Sequence, residues 1–507
     1  MVALNTDIPI NSRSIGSRTP FKLALSDRRF LITAIFALFV IRVLFMMWLP
    51  FTDTTEARYA EIARKMVETG DWITPQFDYG VPFWGKPPLH TWLSALGMKV
   101  FGVGEFGGRA FIYLTGLASL GLTGTFMKRH VGKDEALLAI VALFSSALFF
   151  GASAFVMTDM VMTLGITLSM VAFYTQVTNP SAVRVWGHLF FVGLAVGLLA
   201  KGPVAFVLTL MPITLWILIG RRWSSLKALP WLTGTALMLV LTLPWYIAAE
   251  IKTPGFLNYF IIGEHFERFT VPGWDGDLYG TGHARAKGQI WIDWLGAFMP
   301  WTVFAGWLLL RGKSVAVVVT GDERGWYSYL LLWALAPMLL FTPSANILAA
   351  YTLPAIPATV LLLVSLWASV QGAPSRITKA AFAGSLLLVG GLFLAITVLS
   401  HVSPDTLRLK SQKAMVAEAD QIDPAMHLNY WGRRSFSTEF YSAGQVPVIS
   451  DQDAIAALGA NGVRDALIVR PDALKGVSAS LEDDFTNQGK FGRDFLFVER
   501  SASGEKQ

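Results

Sequence analysis

The residues that could do chemistry sit at the ends of long apolar runs. Glu56 and Arg58 follow the first such run, and Lys86 stands just before Pro87-Pro88. Asp159 opens a later run in Met157-Thr158-Asp159-Met160, and Lys201 separates two runs in Ala200-Lys201-Gly202-Pro203. Glu264, His265, Glu267 and Arg268 fall together in a long polar connection. Charge at the edge of an apolar run is costly and usually faces a cavity or a partner. Cations gathered beside a bilayer suit an anionic lipid headgroup, above all a phosphate or pyrophosphate, because Arg offers a bidentate fork and Lys a point charge. A nearby carboxylate can act as a general base or steer a sugar through its hydroxyls. The combination fits group transfer from a lipid-phosphate donor, with the cations stabilising the departing phosphate as its charge develops. Binding and flipping the same lipid would use the same residue types.

Each position also has a plainer reading. Lys201 could mark a short turn and reach headgroups, Asp159 could be a helix N-terminal acid, and Glu56 and Arg58 could be solvated charges on an interfacial helix. His265 could be an ordinary loop histidine. Asp275 and Asp277 fit Gly-rich turn chemistry. What favours a cavity is that all these groups fall on one side of the membrane once the apolar runs are threaded through it.

The threading follows from composition. The 507 residues are 53% hydrophobic and only 15% charged, against about 25% charged for an ordinary soluble chain. That excludes a cytosolic enzyme and a long disordered protein. The cysteine count is zero, which excludes disulfides, thiolate metal sites and cysteine nucleophiles. The net charge of +6 is read as cytoplasmic Lys/Arg loops, with no call for nucleic acid.

Residues 1–29 are polar and basic, with Arg13, Arg18, Lys22, Arg28 and Arg29, and carry no evident cleavage site, so they are expected to stay in the cytoplasm. Phe30–Leu49 is long enough to cross a bilayer. Further apolar runs at 109–127, 135–157, 159–177, 186–200, 202–220, 229–249, 289–310, 326–342, 347–370 and 378–400 bring the expected count to about eleven spans. The basic clusters Lys128-Arg129-His130, Arg184, Arg221-Arg222, Arg311/Lys313 and Arg376/Lys379 then all face the cytoplasm, as the positive-inside rule requires. A twelfth span at 87–101 would invert the later clusters. That stretch, and a loosely amphipathic helix carried by Ala57, Ala60, Ile62, Ala63, Met66 and Val67 that ends at Thr69-Gly70, are therefore expected to be interfacial helices. The expected organisation is a cytoplasmic segment 1–29, a transmembrane domain 30–400 with outer loops 50–108 and 250–288, and an outer soluble domain 401–507. The last has apolar stretches at 445–449, 466–470 and 494–498 and a helix-like 451–459, which read as a small α/β domain.

Several motifs together carry a family resemblance. They are Thr55-Glu-Ala-Arg-Tyr-Ala-Glu-Ile-Ala-Arg-Lys-Met66, Gly70-Asp-Trp-Ile-Thr-Pro75, Gly85-Lys-Pro-Pro-Leu89 and Glu105-Phe-Gly-Gly-Arg109. Phe101-Gly102, Thr158-Asp159, Lys201-Gly-Pro203, Pro244-Trp-Tyr246, Glu264-His-Phe-Glu-Arg268 and Tyr351-Thr-Leu-Pro354 extend the match over about residues 30–370. In these the chain resembles the bacterial aminoarabinose transferases. Those are GT-C fold glycosyltransferases that use undecaprenyl-phosphate sugars and are related to protein O-mannosyltransferases. The resemblance implies an α-helical polytopic membrane protein of the GT-C glycosyltransferase fold. By that resemblance Glu56 and Asp159 match the family's outer-loop acids. Lys86 matches the lysine that holds the donor phosphate, with Arg58, Arg268 and Tyr351 as helpers, and Lys201 joins that cationic set. His265 matches a histidine near a metal. Two positions depart: Thr55 stands where the family has Asp, the nearest aspartate being Asp53, and Gly85 stands where it commonly has Glu. The base is thus shared among Glu56, Asp159 and Asp53, and a divalent metal is left open.

The resulting expectation is an inverting glycosyltransferase of the bacterial inner membrane with its site facing the periplasm. It would move one sugar from a polyprenyl-phosphate donor to a lipid, such as a lipid A-like molecule, or to a glycan. The alternative is a lipid-linked sugar flippase, which predicts charges spread through the membrane depth and broken helices in repeated halves.

Overall fold

A computed structural model describes residues 22–179, 185–280, 283–371, 376–444, 446–458, 461–481 and 484–500. Arg13, Arg18 and Arg184, and the expected C-terminal segment ends at 445 and 459, lie outside the described residues.

The first apolar run forms helix α1 (Leu25–Trp48). Helices α2 (Thr55–Thr69) and α3 (Leu89–Phe101) follow, separated by a two-stranded hairpin of Gln76–Asp78 and Val81–Pro82. Gly70 closes α2 in the left-handed region at φ 69, as the Thr69-Gly70 signal predicts. Then come α4 (Glu105–His130), α5 (Lys133–Phe144), α6 (Ala147–Ala152), α7 (Thr158–Thr178), α8 (Val185–Lys201), α9 (Pro203–Gly220) and α10 (Trp231–Lys252). The outer connection after α10 winds into a π-helical segment, Tyr259–Glu267. A bent pair, Gln289–Ala297 and Trp301–Leu309, precedes helices Trp326–Phe341, Ile356–Gln371 and Arg376–Val402.

Among the described residues seven helices are long and apolar enough to cross a membrane, and an eighth span results if the bent pair counts as one. Val185–Lys201 and Trp326–Phe341 are shorter apolar helices. The chain is a multi-pass membrane protein. The run expected as one span at 135–157 is instead broken between α5 and α6. The Ser145 and Ser146 hydroxyls donate back to the Val141 and Ala142 carbonyls at 2.6 and 2.8 Å, contacts that loosen and bend helices. The break meets a second one: the Ala147 N–H donates to the Met299 carbonyl at 2.9 Å, and Trp301 Nε1 donates to Ser145 Oγ at 3.2 Å. Met299 lies in the turn of the bent pair, whose two helices differ by 107°. Two interrupted apolar segments thus satisfy each other's freed backbone groups, as irregular backbone at membrane depth must.

Helix α2 differs from expectation in its surroundings. Its polar residues Glu61, Arg64 and Lys65 are buried, at 1%, 6% and 1% exposure, because the C-terminal domain covers them. That domain holds a five-stranded sheet in the order Val448–Ile449, His427–Trp431, Asp465–Val469, Asp494–Glu499, Phe485–Phe491. The first three strands are parallel and the last two antiparallel. Helices Lys413–Ile422, Phe436–Tyr441, Gln452–Leu458 and Leu474–Leu481 complete it. Helix Phe436–Tyr441 lies on α2, and the Tyr441 hydroxyl donates to Glu105 Oε1 at 2.9 Å. Helix α3 packs so closely on the start of α4 that a Cβ on Gly97 would fall 2.1 Å from the Gly107 carbonyl oxygen. Glycine there is what lets α3 lie against α4.

Candidate functional site

Seven of the residues singled out in the sequence come from five separate segments and converge at one end of the bundle. Lys86 follows the hairpin, Asp159 is the second residue of α7, Lys201 ends α8, and Tyr351 lies in the turn Ala349–Ala355. Glu264, His265 and Arg268 come from the π-helical segment and its exit. Lys201 is positioned by the turn behind it. Gly202 has φ +84, and a Cβ there would meet the Phe260 ring at 2.4 Å, so only glycine fits.

Two ion-pair groups lie near each other, both acting on Tyr59. In the first, Lys86 Nζ donates to Glu264 Oε2 at 2.6 Å and also to the Gly85 carbonyl. Arg268 Nη1 reaches Glu264 Oε1 and Asp277 Oδ2, each at 3.1 Å. Burial works against the Glu264 charge, but Lys86 and Arg268 more than offset it and hold the carboxyl below its ordinary range. In the second group, Lys201 Nζ donates to Asp159 Oδ1 at 2.6 Å and lies over the Tyr351 ring at 4.3 Å, a cation–π contact. The Thr158 hydroxyl donates to Asp159 Oδ2 at 3.2 Å. His265 joins the groups, with Nε2 3.2 Å from the Lys201 carbonyl.

Two aromatic hydroxyls sit between them. The fields of Arg58, Glu264, Lys201 and Asp159 all act on Tyr59, whose phenol burial pushes above its usual value. Tyr351 is the second, its ring under Lys201 Nζ. Arg58 donates from Nη1 to the Tyr279 carbonyl at 2.7 Å, and its buried Nε has no hydrogen-bond partner among the described residues. Against Tyr59 lies His90, fully buried, with its ring edge-on at 4.7 Å. Burial, helped by Lys86, lowers its pKa to about 3, so it is neutral at ordinary pH.

Three of the expected residues are engaged with other groups in this structure. Glu56 is fully buried and outside the cleft. Arg109 Nε and Nη2 each donate to it at 2.8 Å, and the Val156 N–H at 3.3 Å, which leaves neither oxygen for a substrate. Asp53 faces the C-terminal domain. It accepts from the Ser435 hydroxyl at 2.8 Å and from the Ser437 hydroxyl and N–H at 2.7 and 3.0 Å. It is a tether between the first outer loop and that domain. His265 turns both ring nitrogens to carbonyls, Nδ1 to Phe260 at 2.7 Å and Nε2 to Lys201. Among the described residues no three His, Asp or Glu side chains cluster as metal ligands. With Gly85 beside Lys86 and Glu264 neutralised by two cations, this donor set does not fit a divalent metal.

Sequence reasoning missed Tyr59, His90, Arg109 and Arg42. Tyr59 and Arg109 stand inside quoted motifs and could have been weighed there. Arg42 carried the clearer signal, a charge in the middle of the first apolar run. It is fully buried, donating from Nε to Ser153 Oγ at 3.2 Å and from Nη2 to the Gly151 carbonyl at 2.6 Å.

A polytopic helical bundle, a cluster of paired cations and carboxylates at one end of it, and a small C-terminal α/β domain define a membrane protein of the GT-C fold. The same fold is found in the crystal structure of ArnT from Cupriavidus metallidurans bound to undecaprenyl phosphate. It superposes with a TM-score of 0.75 at 20% identity and covers 96% of this chain and 100% of that one. The apo form gives 0.74 at 19% identity, covering 95% and 100%.

In sequence the chain resembles the bacterial aminoarabinose transferases. The undecaprenyl phosphate-alpha-4-amino-4-deoxy-L-arabinose arabinosyl transferase of Edwardsiella ictaluri is 28% identical over 369 residues, 70% of this chain and 62% of that protein. The protein of the same description from Aeromonas salmonicida is 29% identical over 330 residues, 62% and 56%. The alignments thus span less than two thirds of these relatives' own length. The family described as dolichyl-phosphate-mannose-protein mannosyltransferase matches residues 28–260.

Proposed function

We propose that this protein is an inverting glycosyltransferase of the bacterial inner membrane. It moves one sugar from a polyprenyl-phosphate donor to a lipid or glycan acceptor at the periplasmic face. The observation that carries the reading is the convergence of Lys86 and Arg268 on Glu264. Two cations from distant segments hold a place where an anionic oxygen pair already sits. The relative solved with undecaprenyl phosphate supports a lipid-phosphate ligand for this fold.

In this reading Lys86 and Arg268 receive the donor phosphate and stabilise the charge that builds on its oxygen as the glycosidic bond breaks. Tyr351 and Arg58 border the same space. Asp159 is the cleft carboxylate of the three considered, and it orients the acceptor, or takes the proton of a sugar hydroxyl. Lys201 already occupies one of its oxygens. That suits an acceptor phosphate, which is already anionic and needs no deprotonation.

The test is mass spectrometry of envelope glycolipids and glycans from cells with and without the gene, complemented by wild type or by Lys86→Ala. One sugar mass that vanishes on deletion and returns only with wild type supports the transfer and names sugar and acceptor. Full restoration by Lys86→Ala would remove the phosphate site from the reading.

A further inference from the structure

A cavity of about 440 Å³ lies where α2, the 76–82 hairpin and the C-terminal domain meet. We propose that it is a carbohydrate subsite that takes a neutral sugar ring of the acceptor. Its volume is that of a small-molecule site, about 300–1,000 Å³. Its polar walls are Lys65, Asp78, Arg434 and Glu439, and Val446 and Val448 form an apolar wall.

The charges choose the class of ligand. Arg434 pairs with Asp78 at 3.1 Å and with Glu439 at 2.9 Å. Lys65 lies 3.6 Å from Asp78 and 3.5 Å from Glu439. Two cations and two carboxylates cancel, so a phosphate would meet two carboxylates and a cation would meet Lys65 and Arg434. A hydroxyl both donates and accepts, and a ring bearing several can use both kinds of wall at once. These side chains hold one another in place, so little ordering is left for a ligand to impose.

Lys65 supplies an independent observation. It is 1% exposed, yet its one hydrogen bond is to the Phe77 carbonyl at 3.1 Å. Its three carboxylate neighbours, Glu61 included, stand at 3.5–3.6 Å, well beyond the roughly 2.7–2.9 Å of a made charge-assisted bond. An ammonium has three N–H donors, and the two not turned to Phe77 are shared among three carboxylates at 3.5–3.6 Å, so a ligand hydroxyl at the cavity wall offers a shorter acceptor. The exposed Tyr79 ring, 5.2 Å from Lys65 Nζ, offers a face for the apolar side of a sugar.

The cavity also adjoins the cleft. Arg434 lies 5.5 Å from the Phe436 ring, and Arg58 lies 5.9 Å from the same ring. Arg58 and Lys65 are two turns apart on α2, about 10 Å along its axis. A ring held here lies on the far side of Phe436 from Arg58. That the ring belongs to the acceptor rests on the glycosyltransfer reading; saccharide binding itself does not.

The experiment is saturation-transfer NMR on the full chain in phosphatidylethanolamine/phosphatidylglycerol nanodiscs. The probes are maltotriose, mannotriose and chitotriose, with inorganic phosphate as competitor. At least one trisaccharide should bind, unaffected by phosphate. Its signal should fall at least several-fold in Arg434→Gln, and equally in Val448→Trp, which narrows the cavity without removing a charge. Lys86→Ala should keep the signal while losing transfer. The proposal is overturned if no trisaccharide binds, if Val448→Trp binds as wild type does, or if phosphate displaces the sugar. Retained transfer in Lys86→Ala would instead count against the glycosyltransfer reading and leave the subsite standing.

Discussion

Lys86 and Glu264, 178 residues apart in the chain, form a 2.6 Å ion pair at the centre of the cleft. Arg268 binds the other oxygen of the same carboxylate. An internal anion therefore balances the two cations proposed to hold the donor phosphate, and removing either cation should be felt directly in turnover. Lys86→Ala and Arg268→Ala should each lower transfer about 10²–10³-fold, the loss typical of one transition-state donor. Arg268→Lys should recover only part, because Lys keeps the charge but lacks the free guanidinium nitrogens that remain for a phosphate once Nη1 is held by Glu264 and Asp277. Steady-state transfer from a polyprenyl-phosphate sugar in detergent measures all three.

Glu56 and Asp159 should separate. Glu56→Gln leaves Arg109 buried without its counter-charge, which typically costs about 3–5 kcal/mol, so thermal unfolding should shift well down. Asp159→Asn also strips buried Lys201 of its counter-charge, so unfolding should shift down too, but turnover of the folded protein should fall as well, by about 10²–10⁴-fold if the acceptor is a hydroxyl that needs a base. Near-normal turnover in Asp159→Asn would point to a phosphate acceptor and leave Asp159 an orienting role.

Arg42 braces the segment that leads into Asp159, through Gly151 and Ser153. Arg42→Leu should cost roughly 1.5–3 kcal/mol for the lost charged hydrogen bonds. Turnover should fall further than stability explains, because small misplacements of reacting groups can cost about 10²-fold. Thermal unfolding and turnover measured side by side check this. A variant as active as wild type would show that the brace does not reach the site.

His90 gives a pH signature. Its folded pKa is about 3, against an ordinary value of 6.5, because burial disfavours the charged ring. Between those values the unfolded chain binds a proton that the folded chain does not. Stability contributed by neutral His90 is therefore complete above about pH 6.5 and is lost progressively as pH falls toward 3. Unfolding temperature should decline over that window, and His90→Gln should flatten the decline between pH 6.5 and 5, before carboxylates titrate. An unchanged slope would assign it to other buried histidines.

Much of the architecture is legible in the sequence because hydrophobic length and Lys/Arg placement are local quantities. The apolar runs fix where helices lie, Thr69-Gly70 fixes where α2 stops, and threading the runs gathers Lys86, Asp159, Lys201, Arg268 and Tyr351 at one end of the bundle. Tertiary structure alone decided which acids face the cleft. Glu56, Asp53 and Asp159 are alike as residues, and their roles differ only because Arg109, Ser435 with Ser437, and Lys201 reach them from elsewhere in the chain. The interlocked breaks near Ser145 and Met299, the burial of α2 under the C-terminal domain and the turning of His265 to two carbonyls follow the same rule. Each depends on which distant group satisfies a buried polar atom. Hydrophobic periodicity carries no record of that partner, because it reports how much surface is buried and not what lies against it.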